Sequence, residues 1–156
     1  MTSVKLISIT HKLAPLELIG KLHLDENHQQ NYLAALKLKM DLKELMFLST
    51  CNRVEFIINT DQEVSPDFLT VLFTGINSQL SGQETGDLIA KTVVYEGTEA
   101  LTHLFEVCAS LDSLVVGERE IITQVRKAYE FCNAMGITGD TIRMAIKQAI
   151  ETAKLV

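Results

Sequence analysis

The 156-residue sequence contains no run of about eighteen apolar residues, so no segment has the length and apolarity of a transmembrane helix. Its opening, MTSVKLISITHKL, lacks a basic stretch leading into an apolar one and a small-residue cleavage site, so no secretory signal is expected. The glycines never form G-x-G-x-x-G or a P-loop, which leaves no recognisable dinucleotide or phosphate cradle. The three cysteines are odd in number and irregularly spaced. They make no disulfide framework, and no Cys or His pair has the spacing of a zinc site; they are expected to be reduced thiols in a cytoplasm. Internal repeats, low-complexity tracts and linkers are absent too. Basic charge is scarce: the net charge is −6, with 7 basic and 6 acidic groups in residues 1–60 but 7 and 14 in residues 61–156. That balance argues against indiscriminate nucleic-acid binding, so a polynucleotide partner would have to be read by local patches.

What is present fits one domain of 156 residues. VKLISIT (4–10) alternates and is β-branched, which predicts a strand. Residues 25–40 predict a helix capped by Asp25, and Ser65-Pro66 predicts the start of another. ELMFLST and VEFIINT predict paired strands around Cys51-Asn52-Arg53. SGQETGD reads as turns before a short strand near KTVVYE. The order β-α-β-β-α-β predicts an α+β fold of ferredoxin-like arrangement, an antiparallel sheet with helices on one face, followed by additional helices. Those later helices are marked by apolar stripes through Leu104, Phe105 and Cys108, and through Ile121, Val125 and Cys132. The last stripe (Ile142, Ile146, Ala149, Ile150, Ala153) is still periodic where the sequence stops. The expectation is therefore one domain over 1–156, cut inside a longer helix and so a fragment of a larger protein. Arg143, Lys147 and Lys154 share one face of that helix and are candidates for phosphate contact, a solvated face being the alternative.

Cys108 and Cys132 lie on apolar stripes, where a cysteine is usually an inert small hydrophobe. Cys51 differs, sitting at a strand end between hydroxyl residues and Asn52-Arg53. A neighbouring cation favours the thiolate, which is the nucleophilic form, although a structural thiol remains open. Arg53 has the fork that grips a carboxylate, with a surface arginine at a turn as the plainer reading. His103 falls at the edge of its stripe, and a satisfied helix-flank histidine competes with a catalytic one. His11 could cap or line a pocket, while His23 and His28 look superficial. Gly117 makes a corner before Glu118, Arg119 and Glu120, of which the two glutamates also suit a helix N-terminus; Ser113 and Gln124 flank it.

Three blocks together, HKLAPLEL (11–18), STCNRVE (49–55) and HLFEVCASLDSLVVGEREIITQVRKAY (103–129), resemble the N-terminal catalytic domain of the glutamyl-tRNA reductase family. The resemblance implies that Cys51 attacks the ester of glutamyl-tRNA to give a thioester. NADPH then reduces the thioester to glutamate-1-semialdehyde, on the route to 5-aminolevulinate and tetrapyrroles. It implies a catalytic role for His103, and substrate contacts from Thr50, Asn52, Arg53, Ser113, Glu118, Arg119, Glu120 and Gln124. It further implies a homodimer, glutamate-1-semialdehyde aminomutase as a candidate partner, no membrane, no metal, and an NADPH site in a domain outside these residues. The sequence departs from the family at Ile19-Gly20, where Arg-Glu is usual, at Arg119-Glu120, where Pro-Gln is usual, and at Ser110, where glycine is common. Two other readings stand beside this one: a non-enzymatic ferredoxin-like domain binding RNA or protein with a redox-sensing thiol, and a thiol hydrolase of small esters that ignores tRNA.

Overall fold

The computed structural model describes residues 3–110 and 121–155. Strand β1 (Val4–Thr10) leads through the single turn α1 (Leu16–Gly20) into α2 (Glu26–Lys39). Then come β2 (Glu44–Ser49), β3 (Arg53–Asn59), α3 (Pro66–Ile76), α4 (Gly82–Lys91) and β4 (Val93–Glu96). Helices α5 (Thr98–Cys108), α6 (Ile121–Ala134) and α7 (Asp140–Ala153) follow. The four strands form one antiparallel sheet in the order β2-β3-β1-β4. The α+β class and the antiparallel sheet thus match the expectation.

The local signals explain most of the boundaries. Asp25 accepts a hydrogen bond from the His28 backbone N–H, and Ser65 accepts one from Phe68, with Pro66 in the first turn. The expected turns at SGQETGD are instead the start of α4. Ser81 and Glu84 form a reciprocal capping box there, so the serine and glycines open a helix rather than a loop.

Every residue of β1 and β3 is buried. Successive side chains of a strand point to opposite faces, so burial without alternation means that both faces are covered. The additional helices expected after the sheet supply the second cover. On one side Phe47 and Phe56 pack at 5.2 Å between ring centroids, and Phe56 meets Phe73 of α3 at 6.2 Å. Each such aromatic contributes roughly 1.5–3 kcal/mol by leaving water. The opposite side lies under α5 and α7, and it is polar where the first is greasy: Ser8, Arg53, Glu55 and Asn59 are all buried. The β2 edge is closed by Leu45, whose N–H donates to the Ile137 carbonyl at 2.8 Å.

Helix α7 has no cap of its own, since Gly139 supplies no side chain. Glu44 of β2 takes the role from 95 residues away. Its Oε1 accepts from the N–H groups of Gly139 (2.5 Å) and Ile142 (3.0 Å), and its Oε2 accepts from Asn59 Nδ2 (2.7 Å). The carboxylate at a helix N-terminus also suits the dipole.

Candidate active site

Cys51 stands exposed on the turn between β2 and β3. The turn is pinned on both sides. The Thr50 N–H donates to the Arg53 carbonyl (2.9 Å), the Asn52 N–H donates to Thr50 Oγ1 (3.2 Å), and the His11 N–H donates to the Asn52 carbonyl (2.9 Å). The last of these ties the HKLAP segment to the thiol's turn. The His11 ring Nδ1 is buried without a hydrogen-bond partner among the described residues. Thr50 and Asn52 are buried on either side of Cys51, so the thiol is presented by a fixed support.

Beneath it lies a cluster that the sequence did not assemble. Glu55 and Arg53 occupy the same face of β3, two residues apart, and both are 0% exposed. Glu55 Oε2 accepts from Ser8 Oγ (2.6 Å) and His103 Nε2 (2.6 Å), and Arg53 Nη1 lies 3.4 Å away. Tyr95 of β4 stacks on the His103 ring at 4.2 Å and 14°. Three strands and α5 therefore converge on one carboxylate. A carboxylate only accepts, so His103 Nε2 carries the proton it shares with Glu55. Such a partner fixes tautomer and ring orientation, as the third member does in nucleophile–base–orienter arrangements.

These contacts revise two sequence readings. Arg53 is enclosed and ion-paired, not a surface arginine at a turn, and His103 is buried rather than at the edge of its stripe. Glu55 was passed over although it carried a signal, a charged residue inside the otherwise apolar run VEFII. Ser8 and Tyr95 carried none, because only the sheet register brings them to it. Gln124 is exposed on α6, where it lines a cavity of about 190 Å³ with Ser49 and Lys127. Ser113, Glu118, Arg119 and Glu120 lie outside the described residues.

The other two thiols are buried. Burial, and then the negative charge of Glu55, push Cys108 up to about 12; burial pushes Cys132 up to about 11 against a backbone hydrogen bond at Phe47. Neither is a thiolate at neutral pH, so Cys51 alone of the three is accessible for nucleophilic work. No group of three or more His, Cys, Asp or Glu with metal-site geometry occurs among the described residues.

Fold and site together define an α+β domain that offers one exposed thiol above a buried carboxylate–imidazole–guanidinium cluster. The family model described as Glutamyl-tRNAGlu reductase, N-terminal domain, matches residues 7–156, and the chain belongs to that family. It is 35% identical to the glutamyl-tRNA reductase of Corynebacterium aurimucosum over 99% of its own length and 33% of that protein's. It is 34% identical to that of Synechococcus sp. over 98% and 35%. The solved structure of glutamyl-tRNA reductase from Methanopyrus kandleri superposes with a TM-score of 0.73 at 29% identity, covering 99% of this chain and 34% of that one. The chain spans about a third of the length of the relatives it matches.

Proposed function

We propose that this domain carries out the acyl-transfer half of glutamyl-tRNA reduction. Cys51 Sγ attacks the carbonyl carbon of the glutamyl ester. The new S–C bond replaces the C–O bond to the terminal ribose, the ribose hydroxyl leaves with a proton, and a thioester remains on Cys51. One hard displacement is thereby divided into two easier ones. The observation that carries this reading is the exposed Cys51 on a turn held by Thr50, Asn52 and His11, in a chain of this family whose other thiols are buried.

Glu55 holds His103 in one tautomer, and His103 serves as the proton donor or orienting group of the transfer. Asn52, Thr50 and Arg53 support the turn that holds the glutamyl group, and Gln124, Ser113, Glu118, Arg119 and Glu120 are the further substrate contacts that the family resemblance implies. The strand order and the position of α2 and α3 support a ferredoxin-like core beneath this site.

In the family, NADPH supplies the hydride that turns the thioester into glutamate-1-semialdehyde. The residues described here do not fit a dinucleotide: the sheet is wholly antiparallel, so it lacks the crevice at the carboxyl ends of parallel strands, and no glycine fingerprint opens a helix. The same reading extends to glutamyl-tRNA as substrate, to a homodimer, to the aminomutase as a partner and to the cytoplasm. Three free cysteines accord with the last, and among the described residues no helix is long and apolar enough to cross a membrane.

The test is a pulse of tRNA charged with labelled glutamate, an acid quench and mass spectrometry of the protein. A glutamyl adduct on Cys51, lost in Cys51→Ala, is the expected result. Label that stays on its tRNA in the wild type, or an adduct that persists in Cys51→Ala, refutes the assignment.

A further inference from the structure

We infer that the cavity between the α1–α2 connection and the end of α3 receives the terminal nucleoside of the tRNA acceptor end; this rests on the acyl-transfer reading and adds to it a second, non-reacting subsite. The cavity holds about 440 Å³, within the range of small-ligand sites, and it is the more polar kind of pocket. Its wall is joined to the thiol's strand. His23 Nδ1 and Ser49 Oγ are 2.7 Å apart, and Ser49 is two residues before Cys51. At about 3.8 Å per residue the two Cα atoms are separated by about 7.6 Å at most. A carbonyl under attack sits roughly 3–3.5 Å from sulfur, and the ribose is its immediate neighbour. The base on that ribose must therefore lie within about one nucleoside of Cys51, and His23, a lining residue hydrogen-bonded to Ser49, brings the wall of this cavity to within two residues of the thiol.

The lining has the chemistry of a base-binding surface. Tyr32 and His28 present neighbouring rings 5.7 Å apart, and Tyr32 is 42% exposed, an aromatic face open to stacking. His28 is held by Asp25 through its Nδ1 at 2.7 Å, so the ring pair does not have to be ordered on binding. The opposite rim is also fixed: Asn77 Nδ2 donates to the Lys21 carbonyl (2.8 Å), and Asn77 Oδ1 accepts from the Gln79 N–H (2.9 Å). The Gln79 side-chain amide lines the cavity and offers both a donor and an acceptor to a base edge. The Lys21 ammonium, 3.5 Å from Glu84 and 45% exposed, stands at the rim where the flanking phosphate would pass. One lysine beside two rings, Tyr32 and His28, is a local feature of the kind an acidic chain needs in order to recognise RNA.

The inference is tested with an uncharged acceptor-stem minihelix ending in 8-azidoadenosine, irradiated with the protein and mapped by mass spectrometry. Crosslinks within residues 23–32 or 75–79 are expected. Crosslinks on α6 around Gln124 and Lys127, beside the smaller cavity on the other side of Ser49, or no crosslink at all, overturn it. A second measurement follows Cys51 adduct formation against glutamyl-tRNA concentration in Tyr32→Ala, a half-exposed position whose replacement leaves the core intact. The half-saturating concentration rises at least about fivefold with the maximal rate unchanged, the low end of one lost base stack. An unchanged half-saturation overturns the inference. Adduct formation without cavity crosslinks sinks this subsite alone, whereas the absence of both sinks the acyl-transfer reading with it.

Discussion

Replacing Glu44 should unfasten α7 from the sheet. Its carboxylate accepts from three donors, two backbone N–H groups at the start of α7 and the Asn59 amide, and it is 5% exposed. In Glu44→Ala all three lose their acceptor. Ile142 and Asn59 are buried at 0% and 7% and cannot turn to water, whereas Gly139 is exposed and can. Two buried donors left unsatisfied cost about 1–3 kcal/mol each, so the loss is about 3–5 kcal/mol once the missing methylenes are included. For a domain of this size that corresponds to a fall in Tm of roughly 10 °C or more. Glu44→Gln is the control. Its amide oxygen can still accept from the two backbone groups, and its amide nitrogen can donate to Asn59 Oδ1, which has no partner now, after a flip of the Asn59 amide. Only charge assistance and the dipole contribution are lost, about 1–2 kcal/mol. Urea unfolding followed by circular dichroism measures both variants. A Glu44→Ala loss below about 1 kcal/mol, or equal losses in the two variants, would refute the tertiary-cap account.

The remaining predictions concern the thiols and the buried cluster. Iodoacetamide at neutral pH should modify one cysteine per native chain, Cys51, and three after denaturation; a second native site found by peptide mapping would contradict the burial of Cys108 and Cys132. Both buried thiols are raised from 9.0 in the folded state, to about 12 and about 11, so the native form keeps a proton that the unfolded form loses. Their stabilising effect is complete below pH 9 and is lost as pH rises toward 11–12, on the order of 1 kcal/mol per pH unit for each thiol. Cys132→Ala should make the decline in urea midpoint between pH 9 and 11 shallower, and an unchanged slope counts against the argument. Glu55→Ala removes the counter-charge of a fully buried arginine, which costs about 3–5 kcal/mol. Glu55→Gln keeps the volume and should fold, but with His103 misoriented its adduct rate should drop at least about tenfold; a wild-type rate would show that His103 acts without Glu55.

Much of the frame could be read from the sequence because it is written locally. Asp25 and Ser65-Pro66 cap the helices they were expected to cap, the strands around Cys51 pair as expected, and the apolar stripes of α5, α6 and α7 bury Cys108, Cys132 and Ile146. The errors share a cause, namely reading residue type without its partner. Ser81, Gly82 and Gly86 looked like a turn until Glu84 was seen to close the capping box. Glu44 carries no local signal of its role, because its partners Gly139 and Ile142 are nearly a hundred residues away. The plainer readings of Arg53 as a surface arginine and His103 as a helix-flank histidine ignore Glu55, the group that makes their burial tolerable, which acquires that role only through the β1–β3 and β1–β4 registers.

That pattern bears on why the sheet is covered on both sides. A two-layer domain could have left Ser8, Arg53 and Glu55 in water, where an exposed ion pair is worth little and a histidine is free to rotate. Laying α5 and α7 over that face removes the water, so the same groups must satisfy one another and hold a single arrangement. Desolvation is costly, and it is the opposite face, with Phe47, Phe56 and Phe73, that offsets it. Apolar packing and the buried polar cluster thus sit on opposite sides of β3, in alternate residues of one strand. Substitutions at Val54, Phe56 or Ile58 should lower unfolding midpoints while sparing the adduct rate of the folded fraction, whereas conservative changes at Arg53 or Glu55 should lower that rate first. Finding the two effects inseparable, with Phe56→Leu slowing Cys51 acylation in fully folded protein, would mean that the faces are mechanically coupled through the strand rather than divided by it.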